Sequence, residues 1–240
     1  MPGTKRHRHN KVGGKSFIIL PIIFFLGIYL ILFFALSPTL GPLVSAAGMV
    51  FSDSEKDYST EYNNIFVPVQ ENDSISYAID QDGRTYISED LVEYPQYGTQ
   101  FGEIIIDDCG VDSKLFFGDG DIALRNGVGV YNGSFIPGYG KTTLIAGHNN
   151  TYFNGLKNAE AGQEILIRTS YGDYRYSVTE TAVKKALDTS AYDLGADYEN
   201  LILYTCYPFD EIGLTSKRFY VYAELIDGPL IKRSSGKGVQ

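Results

Sequence analysis

EILIRTSYGDYRYSVTE, residues 164–180, is the stretch that decides the fold class. In its first half Ile165 and Ile167 fall on one side of an extended chain, Leu166 and Arg168 on the other. The second half repeats the pattern, with Tyr174, Tyr176 and Val178 on a common face. A period of two belongs to a strand with one buried face. Runs of the same texture recur from Gly102 onward as EIIID, KLFFG, TTLIAGH, LILYTCY and RFYVYAELI, separated by Gly, Asp and Asn. Hardly any segment after residue 102 holds a 3.6-residue period for ten residues, so only short helical turns are expected, near 151–159 and 188–192. Seven or eight strands at this spacing predict an all-β sandwich or closed barrel. Nineteen Tyr and no Trp, among many β-branched residues, agree with that choice.

Outside this region the texture changes. Residues 17–36 read FIILPIIFFLGIYLILFFAL, without a charge or a side-chain amide. As a helix rising about 1.5 Å per residue, such a run matches the roughly 30 Å of a bilayer's hydrocarbon core. Lys5, Arg6, Arg8, Lys11 and Lys15 precede it with no acidic residue among them, which predicts a cytoplasmic N-terminus and an outer remainder. A cleaved signal peptide is the competing reading, but its apolar core runs only about 7–15 residues. Residues 37–98 are rich in Asp, Glu, Asn, Ser and Tyr with no sustained period, and read as a stalk or linker with a strand or two packed on the domain. The chain thus divides into a basic tail (1–16), a single membrane anchor (17–36), a stalk (37–98), a β-domain (99–228) and a polar, flexible tail (229–240).

The net charge of −9 conceals a strongly acidic outer part, with 15 of the 20 Lys and Arg residues facing all 29 Asp and Glu beyond residue 36. Nucleic-acid binding, which relies on Lys and Arg to neutralise phosphates, is excluded on that balance. Roughly 190 residues bury a core without disulfide staples. Cys109 and Cys206 form no close-spaced ligand pair with His148, so no zinc site is expected.

Chemistry is confined to few residues. Of three histidines, His7 and His9 lie in the basic tail, leaving His148 as the domain's one imidazole. A thiol, with a free pKa near 8.5, needs such a partner to act as a nucleophile at neutral pH. Cys206 stands at the end of LILYTCY, 58 residues after His148, and Arg218 opens RFYVYAELI, 12 residues later. All three sit at predicted strand ends, where a barrel rim can gather them. Cys109 is read as structural, since no second imidazole activates it. A Cys109–Cys206 bridge would consume the candidate nucleophile.

The run Ile202-Leu203-Tyr204-Thr205-Cys206 resembles the TLxTC motif of sortases, with Ile202 in place of the leading Thr. Ile145-Ala146-Gly147-His148 resembles the strand end that carries their histidine, and Arg218 the arginine opening the following strand. TCYPF after the motif Thr, and NNTYFNGLKNAEAGQEI after His148, look like the class D branch. The likeness covers about residues 99–226. It implies a closed barrel of about eight strands and a cysteine transpeptidase anchored in the membrane of a Gram-positive cell. Cys206 would attack the carbonyl of an LPxTG-like sorting signal to form a thioacyl-enzyme. His148 would protonate the leaving amine and deprotonate the incoming one, and Arg218 would steady the oxyanion. Thr205 would position substrate through its hydroxyl, and the Tyr207 N–H would add a donor. The acceptor would be a peptidoglycan-precursor amine or a pilin lysine. No cofactor is implied, and no acidic pattern supports calcium. The absence of a DPW- or DPF-like lid and of a second apolar run argues against a pilus-polymerising class C enzyme. The rival outside enzymology is a membrane-tethered β-domain that binds a cell-wall ligand and catalyses nothing.

Overall fold

A computed structural model describes residues 21–32, 62–69, 75–81, 83–209, 211 and 215–233. The chain divides into two compact units, Met1–Lys56 and Asp57–Gln240. Within the first, residues 21–32 form helix α1. Twelve residues of helix reach about 18 Å, and among the described residues no helix is long and apolar enough to cross a membrane. The flanks of the expected 17–36 anchor, and the 1–16 tail, lie outside the described residues.

In the second unit eight strands close into a barrel: β3 (Gln100–Ile106), β4 (Val111–Phe117), β5 (Val128–Val130), β6 (Thr142–Ala146), β7 (Glu164–Thr169), β8 (Gly172–Lys185), β9 (Asn200–Tyr207) and β10 (Lys217–Asp227). The circuit runs β10-β8-β7-β3-β4-β5-β6-β9 and closes where β9 pairs with β10. Two joints are parallel, β4 with β5 and β6 with β9. Parallel neighbours need a crossover, and between β4 and β5 it carries the one-and-a-half-turn helix α2 (Asp121–Asn126). The alternation read from the sequence is the pattern of burial. Ile165, Ile167, Tyr174, Tyr176 and Val178 all enter the core, beside Ile104, Leu115, Ile145, Leu201, Leu203 and Val221. Burying one such side chain contributes about 1.5–3 kcal/mol, so the interior accounts for the barrel's cohesion. The two expected helical turns are 3-10 turns, Asn154–Asn158 and Thr189–Ala191, the second capped by Asp188 accepting from the Ser190 N–H.

Two boundaries differ from the sequence reading. Strands β1 (Ala78–Ile79) and β2 (Thr85–Ser88) join β11 (Leu230–Lys232) in a small sheet. Ile87 is buried in the main core, and the Tyr62 ring meets Phe116 edge-on at 5.0 Å. The described part of the 37–98 stretch therefore packs as part of the globular unit. The reading of 229–240 as a flexible tail is corrected for Leu230–Lys232. These residues pair in parallel with β2, and the Ile231 N–H donates to the Gly138 carbonyl. The apolar pair Leu230-Ile231 drives that return.

Candidate active site

Strand β9 is central to the site because it lies between β6 and β10. Its alternation sends Leu201, Leu203 and Thr205 into the barrel and Ile202, Tyr204 and Cys206 to the outer face. On β10 the partners of those outer residues are Tyr222, Tyr220 and Arg218, in that order. On β6, Leu144 and Ala146 pair with Ile202 and Tyr204. Continued two residues past Ala146, the same parallel register brings His148 level with Cys206. Two bonds hold that continuation: the Gly147 N–H donates to the Tyr204 carbonyl at 3.3 Å, and the Thr205 hydroxyl donates to the Gly147 carbonyl at 2.7 Å. His148, Cys206 and Arg218 therefore occupy one end of three adjacent strands. They lie 58 and 12 residues apart in sequence, and the fold alone unites them.

The loops beyond these strand ends are stapled together. Asn149 is buried, and its side-chain amide donates to the Pro208 carbonyl at 3.0 Å and the Glu211 carbonyl at 3.5 Å. Asn154 in turn donates to the Asn149 carbonyl at 2.7 Å, and the Phe153 N–H to the His148 carbonyl at 3.0 Å. Phe153 is fully buried, so this loop is anchored in the core. In the sequence Asn149 stands out only as the residue that follows His148. Its role as the tie between the imidazole and thiol loops was missed, and the sole signal was an amide next to the only usable histidine.

The His148 side is exposed enough for a substrate to reach it. Partial loss of hydration lowers its pKa below the usual 6.5, opposed by the nearby carboxylate of Asp121 at the start of α2. Cys206 is a free, half-buried thiol. Cys109 is free and buried, donates to the Gln163 side-chain oxygen at 3.5 Å, and has its pKa pushed up by burial and by Asp108. No bridge joins the two. Arg218 Nη1 donates to the Lys217 carbonyl at 2.8 Å and to the Thr215 carbonyl and hydroxyl at 3.0 and 3.2 Å, which ties the guanidinium to the residues that lead into β10.

The two expected substrate contacts fare differently. Thr205 is 2% exposed and faces the barrel interior, with its hydroxyl engaged by Gly147. The expectation that this hydroxyl touches substrate is corrected: strand alternation turns it away from the Cys206 face. Tyr207 ends β9 opposite Lys217, half-buried, its ring edge-on to Phe209 at 6.2 Å. Below the three rim residues the outer face is paved with aromatics. Tyr204 stacks on Tyr220 at 5.9 Å and Tyr220 on Tyr222 at 6.0 Å, and Ala191 and Tyr192 cover part of this surface. A cavity of about 590 Å³ opens there, lined among others by Ile202, Tyr222, Tyr192 and Lys184. It does not contain the thiol. Ile202 is four residues from Cys206, or about 13 Å along the strand.

A thiol, an imidazole and a guanidinium on one rim are the set needed for acyl transfer through a covalent intermediate. The model of the sortase domain family matches residues 104–226, from within β3 to within β10. Sortase D of Bacillus subtilis (strain 168) is 30% identical over 132 residues, covering 55% of this chain and 67% of that protein. A Sortase D5 transpeptidase from Clostridium perfringens superposes with a TM-score of 0.51 at 25% identity, covering 57% of this chain and 86% of the other. Sortase C from Clostridium perfringens SM101 shares the fold, with a TM-score of 0.50 at 23% identity over 55% and 73% of the two chains. The barrel, the order of its motifs and these likenesses lead to one conclusion: the chain belongs to the sortase family of cysteine transpeptidases.

Proposed function

We propose that this chain is a membrane-anchored, class D-like sortase that cleaves an LPxTG-like sorting signal and transfers the freed acyl group to a cell-wall amine. The observation that supports the reading is the register of β9 and β10, which pairs Cys206 with Arg218, together with the two hydrogen bonds that tie Gly147, the neighbour of His148, to Tyr204 and Thr205. The Cys206 thiol gives its proton to His148 as its sulfur attacks the scissile carbonyl carbon, and the carbonyl electron pair moves to the oxygen. Arg218 lies directly across from Cys206 and carries a permanent charge for that oxyanion, with the Tyr207 N–H as a second donor. As the C–N bond breaks, the departing amine takes a proton from His148, leaving a thioester on Cys206. The incoming amine gives its proton to His148 as it attacks the thioester, and the expelled Cys206 sulfur takes that proton back from His148, which regenerates the thiol and the neutral imidazole. The donor peptide lies along the aromatic outer face toward the cavity under residues 189–194. Thr205 is a positioning residue that holds Gly147, and through it His148, against β9.

The acceptor is proposed to be a peptidoglycan-precursor amine or a pilin lysine. The hydrophobic 17–36 segment is proposed to hold the domain outside the membrane, with residues 1–16 in the cytoplasm. The test is hydroxylaminolysis of a fluorescent LPxTG-type peptide by the full chain and by Cys206→Ala. Hydroxamate formed by the native chain and not by the variant supports the reading. Equal yields from the two overturn it in favour of a non-catalytic, ligand-binding β-domain.

A further inference from the structure

The pairing of charges across the barrel's outer strands follows one rule with a local exception. Glu103 stands opposite Lys114 and Arg168, Arg168 opposite Asp173, and Arg175 opposite Asp227. Opposite charges across strands stabilise and like charges destabilise. Between β8 and β10 the rule is reversed twice in succession: Lys184 faces Arg218, and Lys185 faces Lys217. Among the described residues none of these four enters an ion pair, whereas Arg125, Lys141, Arg168, Arg175 and Arg233 all do. Four of the 15 Lys and Arg residues beyond residue 36 thus crowd one corner of an otherwise acidic molecule. Among the described residues, Asp188, whose carboxylate is held by the Ser190 N–H and hydroxyl, also lies close enough to feel the charges of Lys184 and Lys185, and Glu180 is the register partner of Tyr222.

That corner adjoins the thiol. Cys206, Arg218 and Lys184 are consecutive register partners across β9, β10 and β8, so they share the outer face. At about 4.8 Å per strand, the Lys184 backbone lies roughly 10 Å from that of Cys206. Lys184 points over the Tyr222 ring, 5.7 Å from its centre, with Nζ donating to the Ser190 carbonyl at 3.3 Å. It therefore borders the cavity below. Lys185 and Lys217, one position on, turn to the opposite face at the same strand ends; both are exposed and within a Debye length, so they add to the potential without sharing the Cys206 face.

We propose that Lys184, reinforced by Lys185 and Lys217, is a docking site for an acidic side chain of the acyl-donor peptide. The proposal rests on the transpeptidase reading and deepens it. The direction follows from strand order: the amine that exchanges protons with His148 lies on the β6 side of the sulfur, so the acyl half extends over β10 and β8. An acceptor carboxylate would sit at the other end, far from these lysines.

The test measures KM for acylation of the full chain by two peptides that differ only in Glu or Gln at the variable position of LPxTG. The native chain favours the Glu peptide by about fivefold in KM, as expected for two or three exposed ion pairs, and the preference shrinks between 50 and 500 mM salt. Lys184→Gln removes the preference, Lys184→Arg keeps it, and K185E with K217E weakens it. Loss of the Ser190 contact alone would raise both KM values together, so the ratio separates charge reading from structure. Equal KM values for the native chain, or a preference that survives in Lys184→Gln, overturn this inference alone. So does a charge effect confined to the KM of a carboxylated acceptor against its amide. A chain that acylates neither peptide overturns the transpeptidase reading and this inference with it.

Discussion

Thr205 and Cys206 are neighbours with opposite duties, and the difference lies in one step of strand alternation. The hydroxyl turns inward and bonds Gly147, while the sulfur turns outward beside Arg218. Thr205→Val is expected to lose about 1 kcal/mol of stability in urea unfolding, the worth of one hydrogen bond. It should also lower kcat with little change in peptide KM, because it loosens His148 rather than the donor site. Thr205→Ser should restore kcat. At His148, desolvation lowers the pKa and Asp121 raises it. The acid limb of the kcat/KM profile is therefore expected below pH 6.5, with the imidazole neutral above it. Asp121→Asn removes the raising influence, so that limb should move to still lower pH; a shift upward would contradict the assignment. His148→Ala should abolish turnover and leave the melting temperature nearly unchanged, since the residue is exposed and contributes little to the core.

Strands of five residues or more were legible because each is a run of apolar and β-branched residues, alternating in burial in β7 and much of β8 and buried throughout in β6: the runs read as EIIID, KLFFG, TTLIAGH, EILIRTS, DYRYSVTE, LILYTCY and RFYVYAELI are β3, β4, β6, β7, β8, β9 and β10. Strand β5 was missed because Val128-Gly129-Val130 is too short to show a period, and its pairing with β4 and β6 comes from tertiary contact. Helix α2 escaped for the same reason, and β11 because a three-residue strand in a polar tail carries no local signal. The end of β6 is where element packing governs the site. A Cβ on Gly147 would lie 2.5 Å from the buried Phe153 ring and 2.9 Å from Val128, so Gly147 lets the His148 loop close onto the core. Gly147→Ala is expected to destabilise by about 1–3 kcal/mol through overpacking. Activity should fall further than stability alone explains, measured as kcat on the folded fraction.

Across the whole molecule, the rim chemistry and the barrel's foundation lie at opposite ends of β9. Just before that strand, Glu199 is half-buried and accepts from the Gly138 N–H at 3.0 Å, the Gly140 N–H at 2.7 Å and the Tyr176 hydroxyl at 2.7 Å. Burial raises its pKa above 4.5 in spite of these donors. The folded state therefore holds the proton more tightly than the unfolded one, and this contribution to stability is full below pH 4.5 and fades as pH rises through the raised value. Glu199→Gln should flatten that slope in pH-dependent unfolding and cost about 1–3 kcal/mol, since its amide turns a donor toward a donor. Turnover should be unchanged, because the site is about 20 Å away. None of this was legible in the sequence, where Glu199 is one acid among 29. The site itself was legible because reactive residue types are scarce, whereas the ties that assemble it, Asn149 and the inward Thr205, depend on contacts between distant segments. The mechanism requires Cys206 to carry the acyl group, and locating the thioacyl adduct by fragment mass spectrometry after incubation with sorting peptide tests this most directly. The expected adduct is on Cys206 and absent from Cys206→Ala; an adduct on Cys109, or none on a folded chain that still cleaves the peptide, would contradict it.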